Sequence, residues 1–371
     1  MPHARRIRGL DGLRGLAAIA VMLFHFNLFF LPQAQIDHVA PFVSRAYLGV
    51  DLFFLLSGFV MAHVYGRLLT SDRRTHWLLF ARARFARIYP LFALTTLAMF
   101  AIAAASHMPL TLVSFSGRSL ALQPFLLQQW AYGLSWDYPS WSISTEAEAY
   151  IFFVFAAGLL LAGKHPRLIA LCCVAILAAL CIARRGNLNC FTGISALLRT
   201  LAEFSLGVLL YRAYAGGGFP RAWVAILFGV LLSLAMISHL DLFVVGAFGC
   251  LIYYSAGATD LFGKLLNSWP LVCLGNWSYS VYLWHAPTHY AVMAAFAAFG
   301  YPVSNLGLVG SRLLLLATVV GVLGLSAFHY QYFETRVRRF ILRLPLGNSA
   351  AIGGTVGASY ALQSERKQTD F

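Results

Sequence analysis

Acidic charge is what this chain of 371 residues has least of, with 13 Asp and Glu against 27 Lys and Arg. Charged residues of both signs make up only 11% of it, against about a quarter in ordinary soluble domains. That scarcity excludes a large soluble domain and leaves no room for a basic nucleic-acid-binding face. Cysteine is also sparse. Cys172, Cys173, Cys181, Cys190, Cys250 and Cys273 fall mostly within apolar runs and never in Cys-x-x-Cys spacing, so they read as packing residues that imply neither a disulfide nor a metal. No internal repeat is visible. What the chain has in excess is apolar surface: 60% of its residues are hydrophobic, the composition of a polytopic membrane protein.

A bilayer core of about 30 Å calls for some 20 apolar residues per helix. Runs of that kind lie near 13–31, 47–66, 90–106, 146–163, 168–184, 195–211, 222–239, 242–259, 277–299 and 309–331. The expectation is an all-α integral membrane protein, a bundle of about ten transmembrane helices with both termini on one side. The net charge of +14 tests this scheme, because segments on one side of the ten spans hold 20 Lys and Arg and those on the other hold six. Cytoplasmic loops carry the positive excess, which places both termini in the cytoplasm and accounts for the charge by topology alone. The first run follows Arg5, Arg6 and Arg8, but no small-x-small cleavage site closes it, so it reads as a helix of the mature protein. Residues 1–340 form the transmembrane domain, and 341–371 read as a polar, mobile cytoplasmic tail.

Inside the first span stand Arg14 and His25. Eleven residues are close to three helical turns, so both side chains share one face about 16 Å apart. An ionisable group inside a membrane is a functional candidate by default; the ordinary alternative is a histidine bonded to a neighbouring carbonyl. The stretch Phe80-Ala-Arg82-Ala-Arg84-Phe-Ala-Arg87-Ile-Tyr-Pro90 reads as a short interfacial helix on the cytoplasmic side, broken before Pro90. Arg84 and Arg87 are three apart and share a face. Guanidinium forks bind phosphate bidentately, although a cluster touching anionic membrane lipids would look the same.

Asp51, in Gly49-Val-Asp51-Leu-Phe-Phe-Leu-Leu-Ser57-Gly58-Phe59, is expected in the outer third of the bilayer, near the level of His25. Glu146 enters from the same side in Trp141-Ser-Ile-Ser-Thr-Glu146-Ala-Glu148, on a helix beginning at or just before Glu146. Glu146 and Glu148 are two apart and point to different sides. A carboxylate beside His25 would fix its tautomer and suit it to be a general base. Glu203, Asp241, His239 and His329 read as groups that snorkel or pair. His285 and His289, four apart, offer a two-histidine face with no acidic or cysteine partner nearby in sequence, so no metal is expected.

Arginines at the inner surface and a base deeper in the membrane describe a ligand with a phosphorylated head and a long arm, the shape of a coenzyme A thioester. Its phosphates would meet Arg84, Arg87, Arg82 and Arg14, and its arm would carry the acyl group towards His25. An acceptor hydroxyl arriving from outside would be deprotonated there.

Taken together, Arg14-x10-His25, Arg84-x-x-Arg87, Gly49-Val-Asp-Leu-Phe-Phe-Leu-Leu-Ser-Gly-Phe59, Trp141-Ser-Ile-Ser-Thr-Glu146 and Tyr279-Ser-Val-Tyr-Leu-Trp-His285 resemble the acyltransferase 3 family of bacterial integral membrane acyltransferases. The resemblance covers roughly residues 5–340. It implies transfer of an acyl group, usually acetyl, from acetyl-CoA or another acyl-CoA to a hydroxyl of a carbohydrate or lipid-linked glycan at the cell envelope, in the bacterial inner (plasma) membrane. It also implies that Arg14 and His25 are the functional pair of the first helix and that Arg84 and Arg87 are the family's Arg-x-x-Arg. After Glu146 the pattern departs. The family often shows another acid and a Gln-Phe-Tyr ending where this chain has Ala147, Glu148, Ala149 and Tyr150, which leaves Glu146, with Asp51, as the carboxylate candidate.

A transporter or flippase for a sugar-containing substrate is the rival reading, with Arg14, His25, Asp51 and Glu203 as substrate or proton sites. It lacks the repeats and matched broken helices that transporters often show. A non-catalytic scaffold is a third; it would tolerate free replacement of Arg14 and His25.

Overall fold

The computed structural model describes residues 6–106, 117–131 and 135–345. All regular structure among them is helical. Ten long helices follow one another: α1 Arg8–His25, α2 Gly49–Ser71, α3 Arg73–Ala105, α4 Trp141–Ala162, α5 Pro166–Ala183, α6 Gly193–Ala215, α7 Arg221–Ser238, α8 Asp241–Ala256, α9 Trp269–Ala298 and α10 Leu308–His329, with a terminal α11 Thr335–Arg343. Single π turns extend α1 over Phe26–Phe30 and join α10 to α11 over Tyr330–Glu334. Most of the expected tail, residues 346–371, lies outside the described residues.

A helix covers each expected apolar run, but eight of the helices among the described residues are long and apolar enough to cross a membrane. Two fall short for different reasons. Helix α8 has 16 residues. Helix α9 has 30, but it carries Asn276, Ser278, Ser280, His285, Thr288 and His289, a polar complement that suits a helix enclosed by others. The protein is an all-α, multi-pass membrane protein.

Two crossings hold the site helices in register, and both depend on glycine. Helix α1 packs along α9, where a Cβ on Gly15 would stand 2.7 Å from the Gly275 nitrogen and one on Gly275 would meet the Asp11 carbonyl oxygen. Helix α2 packs along α6, where Gly58 lies against the Phe204 backbone and Gly207 against that of Leu55. Small residues at such contacts let backbones approach, since lipid supplies no hydrophobic drive for helix association.

The break expected before Pro90 does not occur, for α3 runs through the proline to Ala105. A proline in a membrane-embedded helix is tolerated because the helix must keep its backbone groups internally satisfied there and its neighbours supply further partners. Tyr279 on α9 donates to the carbonyl of Ile88 at 2.6 Å, just ahead of the proline. Helix α4 starts at Trp141, earlier than the boundary expected near Glu146, and a turn of 3-10 helix over Tyr138–Ser140 precedes it.

Candidate active site

The arginines of the first and third helices meet at one end of the bundle. Arg14 lies 3.3 Å from Asp11 and feels the charges of Arg87 and Glu146. Arg87 pairs with Glu334 at 3.0 Å and sits over the Tyr279 ring; Glu334 also accepts from Ser280. Arg84 donates to the Tyr65 hydroxyl at 3.0 Å and lies over the rings of Tyr65 and Tyr150. Its Nε, like that of Arg82, is buried without a hydrogen-bond partner. Arg82 turns aside to the Leu344 carbonyl at 2.8 Å. The three-residue spacing of Arg84 and Arg87 thus puts two guanidinia into one polar neighbourhood with different partners.

Glu146 lies beside these arginines. One of its oxygens accepts from Ser57 at 2.7 Å and from Tyr150 at 2.5 Å, which ties α4 to α2. Glu148, two residues on, faces elsewhere, towards Trp130 at 2.7 Å and Gln129.

His25 ends α1 at the other end of the bundle. Its neighbour is not the expected carboxylate. Nδ1 of His25 lies 3.0 Å from Nε2 of His285, and the two rings stack at 5.0 Å. Tyr138 meets the His25 ring edge-on at 4.9 Å, and Phe29 stacks on it at 6.0 Å, which leaves His25 half-buried. Behind it His285 and His289 are fully buried. The hydrogen bonds assign the tautomers. Nδ1 of His285 faces the Val281 carbonyl at 3.3 Å, so it carries the proton and Nε2 accepts. His25 then holds its proton on Nδ1, and its Nε2 is left with a free lone pair.

Around this pair stand buried polar atoms without partners: the Tyr138 hydroxyl, Nδ1 of His289 and both oxygens of Asp137. Asp137 is fully buried, and the Thr95 hydroxyl beside it is donated to the Phe92 carbonyl. Burial holds the Asp137 carboxyl well above the usual carboxylate range, against a smaller opposing effect of Thr95.

Asp51 is drawn into a different group. Its two oxygens take a bidentate grip from Arg199, at 2.9 and 2.5 Å. Arg199 also donates to the Cys190 carbonyl at 3.1 Å and approaches Glu203 at 3.7 Å. All three charged side chains are fully buried. Arg199 also stands over the Trp141 ring. The structure therefore brings Arg14, Arg84, Arg87 and Glu146 into one neighbourhood, keeps His25 with histidines and tyrosines, and gives Asp51 to a buried ion pair.

Sequence reasoning passed over Asp137 and Tyr138, which lay inside a long loop, and Arg199, counted among loop cations. The four-residue spacing of Arg199 and Glu203 was the available signal for the last. Among the described residues no group of three His, Cys, Asp or Glu is placed to hold a metal.

A family model described as an acyltransferase domain matches residues 7–331. O-acetyltransferase OatA of Staphylococcus aureus (strain NCTC 8325 / PS 47) is 24% identical over 323 residues; the match takes in 77% of this chain and 51% of the relative, so the chain spans about half that protein's length. The putative membrane-bound transacylase BcsY of Komagataeibacter xylinus is 29% identical over 313 residues, 77% of this chain and 73% of the relative. Protein 2 in the picA locus of Rhizobium radiobacter is 45% identical over 85 residues, 23% of this chain and 39% of the relative. No solved structure matches the chain.

Proposed function

Because the chain belongs to the acyltransferase-domain family, acyltransferase 3, we propose that it moves an acyl group, acetyl in the first instance, from a coenzyme A thioester to a hydroxyl of a carbohydrate or lipid-linked glycan in the envelope of a bacterial cell. The observation that carries this reading is the layout of α1. Arg14 stands with Arg84 and Arg87 at one end, and His25, with a free Nε2, stands about 16 Å further along the same helix.

With both termini in the cytoplasm and the protein in the plasma membrane, the arginine end faces the donor. The unpartnered Nε of Arg84 fits a phosphate of coenzyme A, and Arg84 and Arg87 present their guanidinia to the donor's phosphates. The arm passes Glu146 and Tyr150, and its thioester reaches His25. Nε2 of His25 takes the proton of the acceptor hydroxyl while the alkoxide oxygen attacks the thioester carbonyl. The C–O bond forms, the C–S bond breaks, and the coenzyme A thiolate leaves with the proton that His25 returns. General-base catalysis of this kind contributes about 10²–10⁴ in rate. The names of the relatives, an O-acetyltransferase and a transacylase, agree with the reaction class.

The test is transfer from labelled acetyl-CoA by purified protein in lipid nanodiscs. His25→Ala should fold and bind donor but fail to transfer. A transferring His25→Ala variant removes the base assigned here, and a wild-type protein that neither transfers nor hydrolyses the donor would instead be a flippase.

A further inference from the structure

At the His25 end of the bundle, a cavity of about 390 Å³ opens between the start of α2, the end of α5 and the α7–α8 connection, within the size range of small-ligand sites. Arg45, Tyr47, Arg185, Asn187, His239 and Asp241 line it. We infer that this cavity binds an anionic group, a carboxylate or phosphate, of the glycan acceptor and so selects acidic glycans over neutral ones. The inference rests on the acyl-transfer reading above for the identity of the acceptor, but not for the existence of the site.

Cations are scarce on this side of the molecule. Six Lys and Arg belong to the segments assigned to the outer side, namely Arg45, Arg118, Arg184, Arg185, Arg199 and Arg312. Arg199 is spent on Asp51, Arg312 is bound to the Ala34 carbonyl, and Arg184 reaches the Asn189 carbonyl. Arg45 and Arg185 converge on one cavity, against the charge bias that membrane topology imposes. Arg45 is braced by the ring and carbonyl of His239 and by the Ala235 carbonyl. Arg185 makes no side-chain hydrogen bond or ion pair among the described residues, and its guanidinium is free for a ligand. It occupies the left-handed region at φ 55°, as His239 does at φ 58°, where glycine would ordinarily end a helix.

One carboxylate also lines the cavity, and it is already committed. Asp241 Oδ2 accepts from the Tyr47 hydroxyl at 2.6 Å and from the Leu188 amide at 2.8 Å. Two arginines against one aspartate leave the lining with an excess of positive charge. Tyr47 also links the cavity to the reaction centre, because its ring lies 5.4 Å from that of Phe24, which lies 5.2 Å from that of His25. An acidic sugar anchored by Arg185 would therefore extend a neighbouring hydroxyl towards His25.

The experiment uses the full chain in nanodiscs of zwitterionic phospholipid. It measures acetyl transfer to a uronic-acid oligosaccharide and to the same oligosaccharide with its carboxyl groups reduced to alcohols, alongside equilibrium binding of the labelled acidic form. Expected is a kcat/KM at least about tenfold higher for the acidic acceptor, the worth of one charge-assisted hydrogen bond. Arg185→Gln should collapse that ratio and abolish binding, whereas Arg184→Gln, beside the cavity but not lining it, should preserve the ratio. Equal rates on the two acceptors with no binding that depends on Arg185 overturn the proposal. So does an Arg185-dependent retention of phosphatidylglycerol, in nanodiscs that contain it, with no competition by the oligosaccharide, because the occupant is then a lipid headgroup. Binding that depends on Arg185 without transfer to either acceptor would refute the proposed reaction and leave the site standing.

Discussion

Nδ1 of His25 and Nε2 of His285 lie 3.0 Å apart on two helices that cross through glycine contacts. The pair forms a short relay of polarity, from the Val281 carbonyl through His285 to His25. A carboxylate in place of His285 would favour an imidazolium, whereas a neutral histidine orients His25 without adding charge. On the proposed reaction His285 would act as a positioning residue for His25. His285→Ala should lower kcat by about 10²-fold with KM for the donor nearly unchanged. His285→Gln, whose side-chain oxygen can still accept from Nδ1, should recover part of it. Equal kcat in the alanine variant and the wild type would remove the relay.

Arg84 donates to one tyrosine and stacks over two, so its plane is held while its Nε stays unpartnered. Arg84→Gln should raise KM for acetyl-CoA about tenfold, and lysine should not restore it, because an ammonium cannot reproduce the fork or the stacking. Acetyl-pantetheine lacks the nucleotide phosphates, so wild type and Arg84→Gln should use it equally well. Comparing KM for the two donors in both proteins checks this.

Asp51, in contrast, is assigned to the scaffold by its partners. Removing one member of a buried ion pair costs about 3–5 kcal/mol, because the other is left uncompensated, while replacing both with well-packed apolar groups is often neutral. Asp51→Leu should therefore unfold the protein at a markedly lower temperature, and Asp51→Leu with Arg199→Met and Glu203→Gln, which leaves no charge of the group unpaired, should regain most of the loss together with activity. Thermal unfolding in detergent, paired with transfer assays on the triple variant, decides the point. An inactive but stable triple variant would return Asp51 to the chemistry.

The helices were legible because a membrane imposes one strong rule, a run of apolar residues about 20 long, and residues such as Arg14 and His25 stand out against it. The two spans that fell short of that rule are instructive. Helix α9 is diluted by the very polar residues, Ser280 and His285 among them, that the site requires. Partners across the bundle were not legible. His25 sits 260 positions from His285, and Asp51 148 from Arg199, and no local spacing records which pairs meet. Pro90 failed as a signal because the steric cost before a proline is outweighed where the bilayer holds the chain helical and neighbours satisfy the freed backbone groups, as Tyr279 does at Ile88.

Gly58 and Gly207 set how closely α2 and α6 approach, each lying against the other helix's backbone. Neither neighbour can rotate away, since backbone atoms stand where a side chain would begin. Gly58→Ala should cost about 1–3 kcal/mol as an overpacked contact, and Gly207→Ala a similar amount. Their effects should combine less than additively, because each forces the same two helices apart. Unfolding midpoints of the single and double variants test this, and full additivity would mean that the two contacts are independent.

Asp137 offers a prediction whose sign follows from burial alone. Its carboxyl is fully buried without a well-formed hydrogen bond, and burial raises its proton affinity in the folded state. A carboxyl raised in this way binds more protons folded than unfolded between its two titration points. Its contribution to stability is therefore present below the unfolded value and is lost as pH rises towards the folded one. Asp137→Asn keeps the shape and a donor but has no charge to desolvate, so the variant should unfold at a higher temperature than wild type at neutral pH. The two should converge as the medium is acidified through the ordinary carboxylate range. Unfolding curves across that range, on both proteins, read out the difference directly. A wild-type advantage that grows towards neutral pH would mean that Asp137 is ionised in the folded protein and has a cationic partner.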